Sequence, residues 1–320
     1  MNRIIIVFAL LITIIAGMAY GAGSADNSGL LPPKLSGYNI FSGNPVTLTP
    51  GNGFVQYELA TGLFTDYAEK QRLIKVPAVK PITAVNDGLP QLPDGTILVK
   101  TFYYFRDKRT PSKGRRLIET RLLIKNNNQW MAGTYVWNPE QTDATLATGG
   151  SNTPVSWIDE NGRGRKISYR IPGPRDCASC HTADNNLMPV GLKVRNLNIT
   201  VTRDNKSINQ LKYLWEAGVM DNVAPEQFAE LPAWQNEKYG IQDRVRAYLD
   251  VNCAHCHSDL GSCARSAVRF AWEIPLADTR ITEKGKRIVN LMSKGSMPRT
   301  GTTVVDTAAL GLIKQYFQLP

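Results

Sequence analysis

Two five-residue stretches carry the reactive side chains of this 320-residue chain, CASCH (residues 177–181) and CAHCH (residues 253–257). They hold Cys177, Cys180, Cys253 and Cys256, four of the five cysteines, and His181, His255 and His257, which are all the histidines. Cysteines three positions apart stand about one helical turn apart, so two thiols can reach one partner while the next histidine swings beneath it. That layout suits covalent haem c, with two thioethers to the vinyl groups and an imidazole on the iron. Three other chemistries use the same residue types. Pooled thiolates and imidazoles could close a structural zinc site. The cysteines could pair as disulfides in an oxidising compartment, or either pair could act as a redox dithiol.

The stretch RIVNLMSKGSMPRTG (287–301) places Met297 40 positions beyond His257, before a proline and between two apolar helical patterns. A thioether is a soft donor that suits haem iron and has no use at zinc, so the second motif reads as a haem site. The first motif reads as a haem site with an unsettled sixth ligand. Met220, at the end of a helical pattern over 207–218, is the better candidate; Met131 and an open position are the alternatives, and Met188 is too close in sequence. With His181 and His257 spent beneath two irons, only His255 remains, lodged between two attaching cysteines. Bis-histidine ligation is therefore nearly excluded. What is left is His/Met ligation, which raises the reduction potential, or a five-coordinate iron open to small molecules. Cys263 reads as a free buried thiol, with an intermolecular disulfide as the alternative.

The elements around these motifs change character along the chain. Arg3, the apolar run Ile4 to Ala16 and Ala19-Tyr20-Gly21 have the layout of a cleaved secretory signal peptide over residues 1–21. No cysteine near that site suggests a lipoprotein, and no later stretch reads as a membrane span. Residues 22–170 read as a β-rich antiparallel domain, with strands over 96–105, 116–125 and 129–137 and a tight turn in LPDGT (92–96). The connection IPGPRD (171–176) reads as extended and loop-like. Helical periodicity follows over 207–218, with Ser207 as N-cap and Trp215 on the apolar face, and again over 241–252 and 306–319. The expected class is α+β: the β-rich domain, a first haem-binding segment over 171–240, and a helical haem-binding domain over 241–320. The net charge of +10 comes without a dense basic run interleaved with aromatics, which makes nucleic acid a poor partner. A diffuse positive field instead suits an anionic membrane surface, an acidic redox partner or bound haem propionates.

Helix, CxxCH, loop, helix, Ser-Met-Pro, helix is the order of a small class I cytochrome c, which residues 241–320 resemble. The resemblance implies His257 as proximal ligand and Met297 as distal ligand. It also implies that helices 241–251 and 306–319 cross through Val245, Leu249, Ile313 and Tyr316. HTADNNLMPVG (181–191) is similar to the segment after a cytochrome c haem motif, which implies a Pro189 carbonyl accepting a hydrogen bond from the His181 imidazole. Together with KTFYYF, IETRLLIK, TYVWNPEQTDA, DCASCH, YLDVNCAHCH and NLMSKGSMPRTGTTVVD, the chain from about residue 40 resembles a family of exported bacterial dihaem c-type cytochromes. That resemblance implies two covalent haem c groups, at Cys177/Cys180 and at Cys253/Cys256. LPDGTILVK is also similar to the β-rich cytochrome P460 proteins, over too short a stretch to carry an activity. The function expected is periplasmic electron transfer between redox partner proteins, acidic or membrane-bound. The rival is a peroxidase- or oxidase-like enzyme whose open first haem is reduced through the second. Dihaem peroxidases commonly use a histidine outside the motifs, and this chain offers none on a free segment. A third expectation is that the β domain docks a protein partner.

Overall fold

The structure, a computed structural model, describes residues 31–184 and 186–319. The expected signal peptide lies outside the described residues. Six antiparallel strands follow one another in chain order across a single meander. They are β1 (Val55–Gln56), β2 (Glu69–Lys75), β3 (Ile97–Phe105), β4 (Arg115–Asn126), β5 (Gln129–Trp137) and β6 (Ala144–Leu146). Three of them fall where β-branched and aromatic residues predict. The turns have the chemistry their positions require. Gly95 takes φ 88° in the LPDGT turn, and Asn127 and Asn128 take φ 48° and 58° between β4 and β5, the left-handed pair that a two-residue hairpin favours.

Alternation along RLIETRLLIK is imperfect because both faces of the sheet are covered. Leu73, Val99, Leu122 and Tyr135 pack beneath Leu35, Ile40, Leu48 and Phe54 of the preceding segment. On the opposite face, Ile74 and Leu98 pack against Leu192, Leu197, Leu211 and Leu214. The hairpin of β7 (Ser151–Ile158) and β8 (Gly164–Ile171) covers the rest of that face, with Trp157 and Tyr169 against Phe102 and Tyr104.

The first motif is itself helical. α1 (Pro174–His181) begins inside the stretch expected to be loop-like. Pro174 occupies the first helical turn, where a missing N–H removes no hydrogen bond. The Asp176 carboxylate accepts from the Gly173 amide at 3.1 Å. Short pieces follow: β9 (Thr182–Ala183), β10 (Asn186–Leu187), α2 (Val194–Leu197), β11 (Thr200–Arg203), β12 (Lys206–Asn209) and α3 (Gln210–Glu216). The helix expected from Ser207 thus starts later, because residues 206–209 pair with β11 instead. Asn209, not Ser207, caps it, accepting from the Leu211 amide at 2.8 Å. Trp215, expected on the apolar face, is exposed, and the helix is anchored by Leu211 and Leu214.

The C-terminal part contains α4 (Ile241–Asn252), α5 (Leu276–Thr279), α6 (Gly285–Ser293) and α7 (Thr307–Tyr316). α4 and α7 pack together, with Val245, Leu249 and Ile313 in one core that also takes Ile281, Val289 and Met292, and Tyr316 lies against it. The protein is therefore α+β, and no helix among the described residues is long and apolar enough to cross a membrane. The helices lean on the loop after β1. Buried Asp66 accepts from the Thr303 amide and hydroxyl at 2.7 and 2.8 Å, and the Asn252 side chain accepts from the Phe64 amide at 2.7 Å. A second tie is ionic. Asp250, fully buried, meets Lys193 at 2.7 Å and Arg195 at 3.3 Å.

Candidate functional site

α1 aligns Cys177, Cys180 and His181 over one face of the sheet, beside β5. Cys177 and His181 line a cavity whose sheet wall carries Leu98, Lys100, Arg121, Leu123, Ala132 and Thr134, and whose other wall includes Pro189, Val190 and Leu192. Along a strand, side chains alternate faces, so the wall residues of β3, β4 and β5 project together. The His181 Nδ1 lies 2.9 Å from the Met188 carbonyl oxygen. A carbonyl only accepts, so Nδ1 carries the proton and Nε2 keeps the lone pair that a metal would take. The partner expected was the Pro189 carbonyl; the bond goes one residue earlier because the β9–β10 turn folds Met188 back onto His181, with the Met188 amide donating to the His181 carbonyl at 2.6 Å. Burial, then the charges of Lys100 and Arg121, holds the His181 pKa down at about 4. The imidazole is neutral at physiological pH.

The second motif starts where α4 ends. Cys253 follows its last turn, and the Cys256 and His257 amides both donate to the Cys253 carbonyl, at 3.2 and 3.0 Å. Gly261 closes the loop so tightly that a Cβ there would stand 2.4 Å from the Cys256 carbonyl oxygen. His257 stacks edge-on against Phe270, with ring centroids 5.1 Å apart. Its Nδ1 is buried without a hydrogen-bond partner, as is that of His255. Burial pushes the Cys253 thiol up to about 12. Cys263, half-buried, bears a free thiol, and its amide donates to the Cys256 carbonyl at 2.9 Å.

The two motifs, 76 positions apart from Cys177 to Cys253, meet in space. Ligand atoms of Cys180, His255 and Cys256 lie within 4.8 Å of one another. Cys180 also sits 3.1 Å from the Thr300 hydroxyl, which brings the loop carrying Met297 to the first motif. A hydrogen bond from Cys256, helped by His255 and Thr300, holds the Cys180 thiol far below the ordinary thiol range, and the Cys256 thiol is pushed up in return.

The methionines divide. Met297 is half-buried in the loop between α6 and α7, with its amide on the Leu291 carbonyl at 3.3 Å. Met220 is 1 % exposed and packed in the core with Ile82 and Leu214. It does not line the cavity beside His181, so the structure does not bring that pair together; the apolar side chain is used for packing. Met131 lies one position from Ala132 on β5 and therefore projects from the opposite face. Lys100, Arg121 and Thr300 are site residues that the motif reading passes over. Charges at Lys100 and Arg121 in the middle of strands were the available signal, whereas the Met188 carbonyl, a backbone group, has none.

The donor set fits haem c. Each motif offers two thiols and an imidazole, the first beside a cavity that is apolar on one side and cationic on the other, the second with an unpartnered Nδ1. It fits a closed structural zinc less well. The cluster of Cys180, His255 and Cys256 gives three donors among the described residues, where such a site takes four. Compared with protein-family models, curated proteins and solved structures, the chain has no match.

Proposed function

We propose that the chain is an exported dihaem c-type cytochrome that passes electrons between redox partner proteins. One observation carries this reading: the second cysteine of each motif stands beside that of the other, with His255 close to both. Two attachment sites that touch suit a unit that relays electrons. Bound haem would supply the one-electron chemistry. The residues of the chain attach it through Cys177/Cys180 and Cys253/Cys256, present His181 and His257 to iron, and set the field around it. The Met188 carbonyl orients His181. On this reading the C-terminal helices are a class I cytochrome c-like unit, in which Met297 would supply the second protein ligand to a haem held by His257.

A second reading has an observation of its own. Because Met220 is packed in the core, a haem held by His181 would gain no sulfur ligand from it, and a vacant position there would suit a peroxidase- or oxidase-like enzyme.

The test is the mature protein made in a host that ligates haem c. Two covalent haems per chain are expected by pyridine haemochrome, falling to one in Cys177→Ala/Cys180→Ala and in Cys253→Ala/Cys256→Ala. A colourless product or stoichiometric zinc sinks the proposal. Rapid spectral change at one haem with carbon monoxide or cyanide selects the enzyme, and two unresponsive low-spin haems select the carrier.

A further inference from the structure

Arg72, Lys100 and Arg121 stand directly opposite one another on β2, β3 and β4. Direct partners share a face, so three cations form a row across the sheet, and Lys70 continues the same face two residues from Arg72. Like charges opposed in this way destabilise a sheet, and of the three only Arg121 has an anionic partner within the described residues. Glu119 binds Arg121 at 2.5 and 3.0 Å and accepts from the Tyr169 hydroxyl at 2.6 Å. Glu58 pairs with Arg203 at 3.2 Å and Glu69 with Lys108 at 2.9 Å. The Arg72 Nε is buried without a partner. Lys100 makes no ion pair or side-chain hydrogen bond among the described residues, and Lys100 and Arg121 face the cavity that holds Cys177 and His181. Burial first, and then Arg72 and Arg121, bring the Lys100 pKa down to about 7.

Arg72 and Lys100, opposed across β2 and β3 and without an ion pair of their own among the described residues, have the form of a receptor. Guanidinium forks bind carboxylates in bidentate fashion, while an ammonium adds a compact point charge. We infer that Lys100, with Arg72 opposite it, is a carboxylate receptor for the propionates of a haem attached at Cys177 and Cys180, while Arg121 beside them is held by Glu119. The inference rests on the haem reading above. It gives the β sheet a role in the site: the apolar part of the wall (Leu98, Leu123, Ala132) takes the macrocycle and Lys100 with Arg72 takes its acid edge.

The test compares the haem-loaded full-length protein with its Lys100→Met and Arg72→Met variants by resonance Raman spectroscopy. Since Lys100 has no partner to orphan, its replacement leaves the fold standing; Arg72→Met is the independent second variant. The expected result is that the propionate bending bands of one haem shift in both variants, those of the other stay in place, and two haems per chain are retained. Unmoved bands in both variants overturn the inference. So does a change of iron spin state in Lys100→Met with unmoved bands, which would make the Lys100 amine an iron ligand. Inorganic phosphate separates the remaining source: a saturable spectral response to phosphate, lost in Lys100→Met and with unmoved propionate bands, overturns the propionate assignment in favour of a diffusible oxyanion. If the protein carries no haem, the haem reading fails and this assignment with it, and phosphate titration of the colourless protein then reports whether the row binds oxyanions at all.

Discussion

At the scale of single residues, the sharpest expectation concerns Asp250. Its carboxylate, wholly buried, answers Lys193 and Arg195 and accepts from the Trp272 amide at 3.0 Å. Asp250→Asn leaves Arg195, 1 % exposed, facing Asp250's place without a charge. Breaking a buried pair from one side costs about 3–5 kcal/mol, which urea unfolding would register as a much lower midpoint. Glu273 also meets Arg195, at 2.7 Å, but its side chain is 52 % exposed. Glu273→Gln is expected to cost under about 1 kcal/mol, and equal losses in the two variants would show that burial does not separate these ion pairs. Asp107 gives a pH dependence. Hydrogen bonds from Arg109, and next from Lys113, outweigh burial and hold its carboxyl well below the ordinary value of 3.8. The folded state thus gives up this proton more readily than the unfolded chain. The stabilisation is complete above that ordinary value and fades as pH falls through the depressed one. The stability gap between wild type and Asp107→Asn should be constant from neutral pH to about pH 5 and shrink in stronger acid; a gap that widens there contradicts the assignment.

At the scale of elements, Ile313 tests the helical unit. It is fully buried where α7 meets α4, and Ile313→Ala should cost about 2–5 kcal/mol in denaturant unfolding. Leu310, one turn earlier on α7 and only partly buried, should lose less when truncated. α4 and α7 were legible because each has a continuous apolar stripe at helical spacing. β3, β4 and β5 were legible because β-branched and aromatic runs end in strong turn residues. α1 and the start of α3 were not. Proline before Cys177 reads as a break until it is seen in the first helical turn, where its missing donor is harmless. Residues 206–209 satisfy helical spacing as well as strand pairing, and a partner strand, β11, decides between them. Local pattern was silent on what long-range packing decides. That holds too at the site, where cysteines and histidines announce their chemistry by spacing, but the approach of Cys180 to Cys256 and the row through Lys100 depend on which strands and loops become neighbours.

At the scale of the whole molecule, the parts are arranged so that the two motifs meet at Cys180, His255 and Cys256. The loop of Asp66 and Tyr67 grips the chain after Met297, with the Tyr67 hydroxyl 3.2 Å from the Val305 carbonyl oxygen, and Thr300 in that same loop touches Cys180. The C-terminal helices are thereby held against the first motif by contacts that do not involve haem. If haem occupies both motifs, as proposed, each iron feels the oxidation state of the other. Unit charges about 10 Å apart interact by roughly 1–2 kcal/mol at an effective dielectric constant near 20, equivalent to tens of millivolts for a one-electron couple. Reducing one haem removes a positive charge and makes the other harder to reduce. A potentiometric titration followed in the visible spectrum should therefore be broader for the wild type than the sum of the titrations of the two single-haem variants, Cys177→Ala/Cys180→Ala and Cys253→Ala/Cys256→Ala. Added salt should do little to narrow it, since buried charges are poorly screened. If the two single-haem curves add up to the wild-type curve, the irons do not sense each other, and the adjacency of Cys180 and Cys256 has no part in how electrons move through the protein.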